Sequence, residues 1–142
     1  MSADDVAWRE NRRSTTSAHQ AALDRRRAAD ADRARGLLAD FVRESRALGP
    51  APVPLRARSR NGRHRYRTTH TGWYLKQNES VAVGTDGEFY VLSVSPSVSA
   101  WFRRVAITPS DPPLVLGAGG RDGESIDLAA ALDRVRSHRT QP

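Results

Sequence analysis

Six arginines alternate with other residues on either side of an Asn-Gly pair: Arg56, Arg58 and Arg60, then Asn61 and Gly62, then Arg63, Arg65 and Arg67. A guanidinium group is planar, always charged and forked, so it donates paired N–H groups to two oxygens of one phosphate. A row of such groups on one surface would hold a polyanion by its backbone, the chemistry of nucleic-acid binding with little sequence choice. Residues 51–76 hold seven basic and no acidic side chains, against ten and eight in 1–50 and six and eight in 77–142, so this segment accounts for the net charge of +7. Arginine outnumbers lysine 22 to 1 throughout. Its uneven distribution, not its abundance, therefore carries the information.

Other side chains extend or compete with this reading. Lys76, Arg103 and Arg104 would stand at the rim of the basic surface, and Trp73 would emerge on it and stack on an unpaired base if strand parity runs unbroken from Arg67. His64 and His70 beside arginines are what RNA cleavage would use, one imidazole taking the 2′-hydroxyl proton and the other protonating the leaving oxygen. Six residues of regular strand separate them by about 20 Å, too far to flank one phosphate. A small ribonuclease is therefore the lesser alternative, and no catalytic residue is assigned.

The glycine-rich stretch 117–123 departs from a dinucleotide loop because Asp122 stands where the third glycine belongs. Asp122, Glu124 and Asp127 lack a calcium-loop pattern. The chain has no cysteine, which excludes disulfides and thiolate metal sites. No metal and no cofactor is expected.

The elements that would position the arginines follow from patterning. Asn-Gly between two alternating runs is the strongest short hairpin signal, and a two-residue turn would set Arg60 opposite Arg63, Arg58 opposite Arg65 and Arg56 opposite Arg67. All six arginines then share one face, and Leu55, Ala57, Ser59, His64, Tyr66 and Thr68 share the other. Residues 1–16 show no sustained period and read as a flexible tail or frayed helix. Residues 17–49 read as a long helix, solvated in its first half, with Leu37, Leu38, Phe41, Val42 and Leu48 on a core-facing stripe and Gly49-Pro50 as its stop.

Residues 50–142 would form a compact α+β domain with the arginine-rich hairpin at 53–71, a bulge at Gly72 and a second hairpin around residues 84–87. Residues 98–107 fit a helix and a strand equally well. Ser125 would cap a terminal helix carrying Leu128, Leu132 and Val135. The fold expected is α+β, a long N-terminal helix and a short C-terminal helix flanking an antiparallel sheet of four to five strands.

The longest charge-free stretch, 89–102, has 14 residues with Pro96 and four serines among them, and cannot span a membrane. The first residues lack the basic and apolar regions of a signal peptide, so a cytoplasmic protein is expected. The function expected is non-enzymatic binding of RNA or DNA, or another polyanion, through Arg56, Arg58, Arg60, Arg63, Arg65 and Arg67. The alternative, from a different class, is an assembly module that uses helix 17–49 to form a homo-oligomer or to dock a protein partner.

Overall fold

The computed structural model describes residues 2–94, 107–117 and 125–140. Helix α1 (Ala3–Leu48) takes 46 of them, about 69 Å of helix at 1.5 Å per residue. It begins at Ala3 rather than at Ser17, so the segment read as a flexible tail or frayed helix is continuous with the long helix. Its start is built locally: Ser2 Oγ accepts from the Asp5 N–H at 3.2 Å, and Asp4 and Asp5 lie at the positive end of the helix dipole. Side chains of residues 3–30 are exposed or half-exposed. Burial begins at Ala31 and recurs at Ala34, Leu38, Phe41, Val42 and Ser45, the three-to-four spacing of a single helical face. Leu48, expected on that stripe, is exposed instead. The helix stops beside it, at Gly49, which adopts φ 83° and donates its N–H to the Ser45 carbonyl at 2.8 Å.

Five strands follow: β1 (Val53–Ser59), β2 (Arg65–Tyr74), β3 (Val81–Gly84), β4 (Phe89–Val91) and β5 (Ser93–Val94). Their order in the sheet is β4-β3-β2-β1-β5, antiparallel except for the β1/β5 pair. The hairpin expected around residues 84–87 joins β3 to β4, with Gly87 at φ 83° where the reversal needs a left-handed residue.

The apolar run 88–94 that follows this hairpin forms two strands rather than one, and a single residue, Leu92, separates β4 at one edge of the sheet from β5 at the other. Leu92 donates to the Ser80 carbonyl at 2.8 Å and accepts from the Arg58 N–H at 2.7 Å. The two edges therefore converge, and the sheet curls round an inner core of Leu55, Ala82, Tyr90 and Leu92. Burial, reinforced by the bond the Tyr90 hydroxyl donates to Asp86 at 2.6 Å, raises the Tyr90 pKa and keeps the phenol protonated.

The outer face carries Trp73, Leu75, Val83 and Phe89, and onto these pack Leu38, Phe41 and Val42 of α1. Leu128, Ala131, Leu132 and Val135 of α2 (Leu128–Ser137) complete that core. A short pair, β6 (Val115–Leu116) with β7 (Ile126–Asp127), leads into α2. The residue capping α2 is Asp127, not Ser125, because residues 126 and 127 are drawn into β7 and delay the helix. Two segments singled out from sequence, 98–106 and 118–124, lie outside the described residues. Ile107, the last of the ambiguous stretch, packs on the inner core.

The irregularity expected at Gly72 lies earlier in β2. Pro54 faces Thr71 and Arg56 faces Arg67, so three residues of β2 oppose Leu55 alone. Thr68 bridges the gap, its hydroxyl donating to the Leu55 carbonyl at 2.7 Å and accepting from the His70 N–H at 3.1 Å. Two extra residues preserve the alternation of faces; one would have inverted it.

Gly72 itself serves a close approach to Gly84. A Cβ on it would lie 2.0 Å from the Val83 carbonyl oxygen and 2.7 Å from Gly84 Cα. Backbone on that side cannot yield as a flexible side chain would, so Gly72→Ala should lower the unfolding free energy by about 3 kcal/mol or more. Urea denaturation measures it, and a loss under about 1 kcal/mol would contradict the packing described.

Candidate nucleic-acid interface

The hairpin keeps the arginines in phase but reverses differently from expectation. Arg56 faces Arg67, Ala57 faces Tyr66 and Arg58 faces Arg65. Closure then comes at Ser59 and His64: the Ser59 N–H donates to the His64 carbonyl at 2.9 Å, and the His64 N–H donates to Ser59 Oγ at 3.1 Å. The loop is therefore four residues, 60–63, and Arg60 and Arg63 are not a ladder pair. Side chains select this longer loop. Asn61 Oδ1 accepts from both Ser59 Oγ and the Arg63 N–H, at 2.5 and 3.0 Å, while Gly62 turns the chain at φ 74°.

Leu55, Ala57, Ser59, Tyr66 and Thr68 are buried on the inner face, with His64 half-buried at the turn. By alternation Arg56, Arg58, Arg65 and Arg67 stand on the outer face. All are exposed except Arg58, which is half-buried, and Arg60 and Arg63 are exposed at the tip. Opposed cations about 5 Å apart repel by roughly 0.8 kcal/mol per pair at the dielectric of water.

The two ladder pairs meet this repulsion differently. Arg65 Nη1 lies 3.0 Å from Glu79 Oε2, and Arg58 Nη1 donates to the Asn78 carbonyl. Both anchors come from the turn over residues 76–79, where Glu79 takes φ 60° and donates its N–H to the Lys76 carbonyl at 3.0 Å. Among the described residues, Arg56, Arg60, Arg63 and Arg67 have no side-chain hydrogen bond or ion pair to the rest of the chain.

Two residues assigned to this surface from sequence are inside the protein. Trp73 shares the outer face with Arg67, as alternation requires, but α1 covers it: the residue is 3% exposed, Phe41 meets its ring edge-on at 5.4 Å, and Nε1–H donates to the Pro50 carbonyl at 2.8 Å. Its ring has no free face for a base. Lys76 is 5% exposed and lies beneath the surface rather than at its rim. Arg103 and Arg104 lie outside the described residues.

Two groups that matter here were not picked out from sequence, Glu79 and the Asn78 carbonyl. The signal available was their position immediately after the acid-free segment. His70 has a structural role, its ring 4.3 Å from that of Tyr90 and its Nε2 3.1 Å from the Ile107 carbonyl oxygen. No group of three or more His, Cys, Asp or Glu among the described residues is placed to hold a metal ion, and no helix among them is long and apolar enough to cross a membrane.

If Trp73 is a packing residue, Trp73→Phe should lower stability by about 1–3 kcal/mol, through the unsatisfied Pro50 carbonyl and the lost ring volume. Affinity for oligonucleotides should stay within twofold of the wild type, on the order of 0.4 kcal/mol. A large loss of affinity in a variant that remains folded would return Trp73 to the binding surface. Compared with known proteins, the chain matches no family model, no curated protein and no solved structure.

Proposed function

We propose that this protein binds nucleic acid, RNA in preference to DNA, by clamping the phosphate backbone with the outer face of its β1/β2 hairpin. The observation that carries the reading is the set of guanidinium groups on one exposed face and its tip, four of which have no partner among the described residues. Arg56 and Arg67 form a cation pair that nothing among the described side chains compensates, so an incoming phosphate would relieve it. Each contact would release condensed counterions, and binding would depend on salt rather than on sequence. RNA is preferred because no described pair of helices is joined by a short turn in the manner of a groove-reading motif. A cytoplasmic location accords with this reading.

The test is the salt dependence of binding. If four free arginines each meet one phosphate, log affinity should fall against log salt with a slope of about −3 to −4. Replacing Arg56 and Arg67 together by serine should flatten that slope by about 1.5 to 2, with stability unchanged or slightly raised. Binding that is flat in salt would remove the hypothesis.

A second reading, an assembly module built on the long helix, is favoured by one specific observation. Residues 3–30 of α1 project without a buried side chain, and Val6 and Trp8 are exposed, Trp8 at 61%. A helical stretch that is polar on nearly every side has no core to hold it, so a covering partner would stabilise it. Light scattering on the full chain and on a variant lacking residues 2–27 separates the readings. The truncation stops short of Ala31, where the core begins. Loss of an oligomer without any nucleic-acid affinity in either protein would favour assembly, whereas binding that survives truncation supports the hairpin.

A further inference from the structure

Among the described residues, one of the six hairpin arginines holds a carboxylate: Arg65 Nη1 lies 3.0 Å from Glu79 Oε2. The two side chains are 54% and 35% exposed, so water screens the pair and it can open at small cost. Its geometry is nonetheless fixed by the backbone. Glu79 is the non-glycine residue with positive φ among the described residues, at 60°, a conformation that non-glycine residues seldom adopt. Hydrogen bonds hold it there. The Glu79 N–H donates to the Lys76 carbonyl at 3.0 Å and the Ser80 N–H to Asn78 Oδ1 at 3.1 Å, while the Ser80 carbonyl accepts from the Leu92 N–H at 2.8 Å. A backbone kept in an unfavoured region by its surroundings directs attention to what its side chain does.

To a guanidinium fork, a carboxylate and a phosphate present the same feature, two oxygens sharing negative charge. They therefore compete for Arg65. Arg65 stands two residues from Arg67 on the outer face, about 7 Å along the strand, and Arg67 faces Arg56 across the ladder. A single phosphate arriving from solution meets a carboxylate already tethered beside Arg65, at an effective concentration on the order of millimolar. A strand already held by Arg56 and Arg67 brings its next phosphate to Arg65 with the same advantage. Intramolecular competition thus favours connected phosphates over isolated ones.

We propose that Glu79 is an internal competitor for the polyanion, occupying Arg65 in the free protein and yielding it to a strand held by the neighbouring arginines. The inference rests on the hairpin's binding nucleic acid and adds that part of its surface is closed until a strand opens it. Exchanging one anion for another at Arg65 releases little net counterion, so the wild-type salt slope reports the four free arginines.

The test is a double-mutant cycle of Glu79→Gln and Arg65→Ser, with affinity for a short single-stranded RNA read by fluorescence anisotropy over a range of salt. Glutamine keeps the shape and removes the charge, and both side chains are solvated enough that folding is not at risk. Glu79→Gln should tighten binding about two- to fivefold, the strength of an exposed ion pair, and steepen the log-log salt slope by about 0.7 to 0.9. Arg65→Ser should weaken binding about two- to fivefold more in the Glu79→Gln background than in the wild type, because only the wild type gives up an ion pair to make the contact. Simple repulsion between Glu79 and the strand needs no Arg65, and would make the two effects add. Additive effects, or a Glu79→Gln variant with unchanged affinity and slope, overturn the competitor while leaving the hairpin reading intact. Failure of both the wild type and Glu79→Gln to bind RNA removes the hairpin reading and this proposal with it.

Discussion

The alternation of faces along β2 is the constraint on which the rest of the molecule depends. Side chains at even positions from Tyr66 to Tyr74 turn inward and those at odd positions turn outward, and the irregularity opposite Leu55 adds two residues, which leaves that parity intact. One surface of one strand is thereby shared between two uses. Toward its end, Trp73 lies under α1, while toward its start Arg65 and Arg67 stand clear. Had Thr68 bridged a single extra residue, the indole would lie on the inner side and the helix would have no anchor there. The stable core and the cationic face are two ends of the same geometric rule.

Curling the sheet makes that rule affordable. Long open edges would invite pairing with other chains, but the two edge strands, β4 and β5, are short and meet at Leu92, which bonds to Ser80 and Arg58. The inner residues Leu55, Ala82, Tyr90 and Leu92 then form a core of their own, separate from the helix-facing one. With apolar burial satisfied on both faces, the hairpin tip has no packing duty. It can carry charge that would be unfavourable in a more central strand, and the 76–79 turn offsets only the pair nearest that tip, Arg58 and Arg65.

How far the sequence disclosed this depends on whether the deciding force was local. The phase of Arg56, Arg58, Arg65 and Arg67 was legible because alternation is a property of the strand itself. Loop length was not, since the bonds of Asn61 with Ser59 and Arg63 outweighed the intrinsic preference of Asn-Gly for a two-residue turn. Trp73 was placed on the correct face, but its burial depended on Phe41, a residue far off in the chain. The amino-terminal half of α1 lacked periodicity for a physical reason: nothing packs against it, so no apolar stripe was needed to form it. The Ser-Ala-Asp-Asp start was the readable cap. Splitting of the 88–94 run at Leu92 left no local mark at all, because β4 and β5 differ only in which distant strand they meet.

The central claim is that the outer arginines of the β1/β2 hairpin are the surface that meets phosphate. Arginine side-chain NMR observes those groups directly, through the Nε–Hε resonances of the labelled protein titrated with a short single-stranded RNA. The account predicts that shifts concentrate on Arg56, Arg58, Arg60, Arg63, Arg65 and Arg67, while arginines of the free part of α1 such as Arg25 and Arg26 stay in place. Shifts confined to α1, or a hairpin unmoved by saturating RNA, would contradict it.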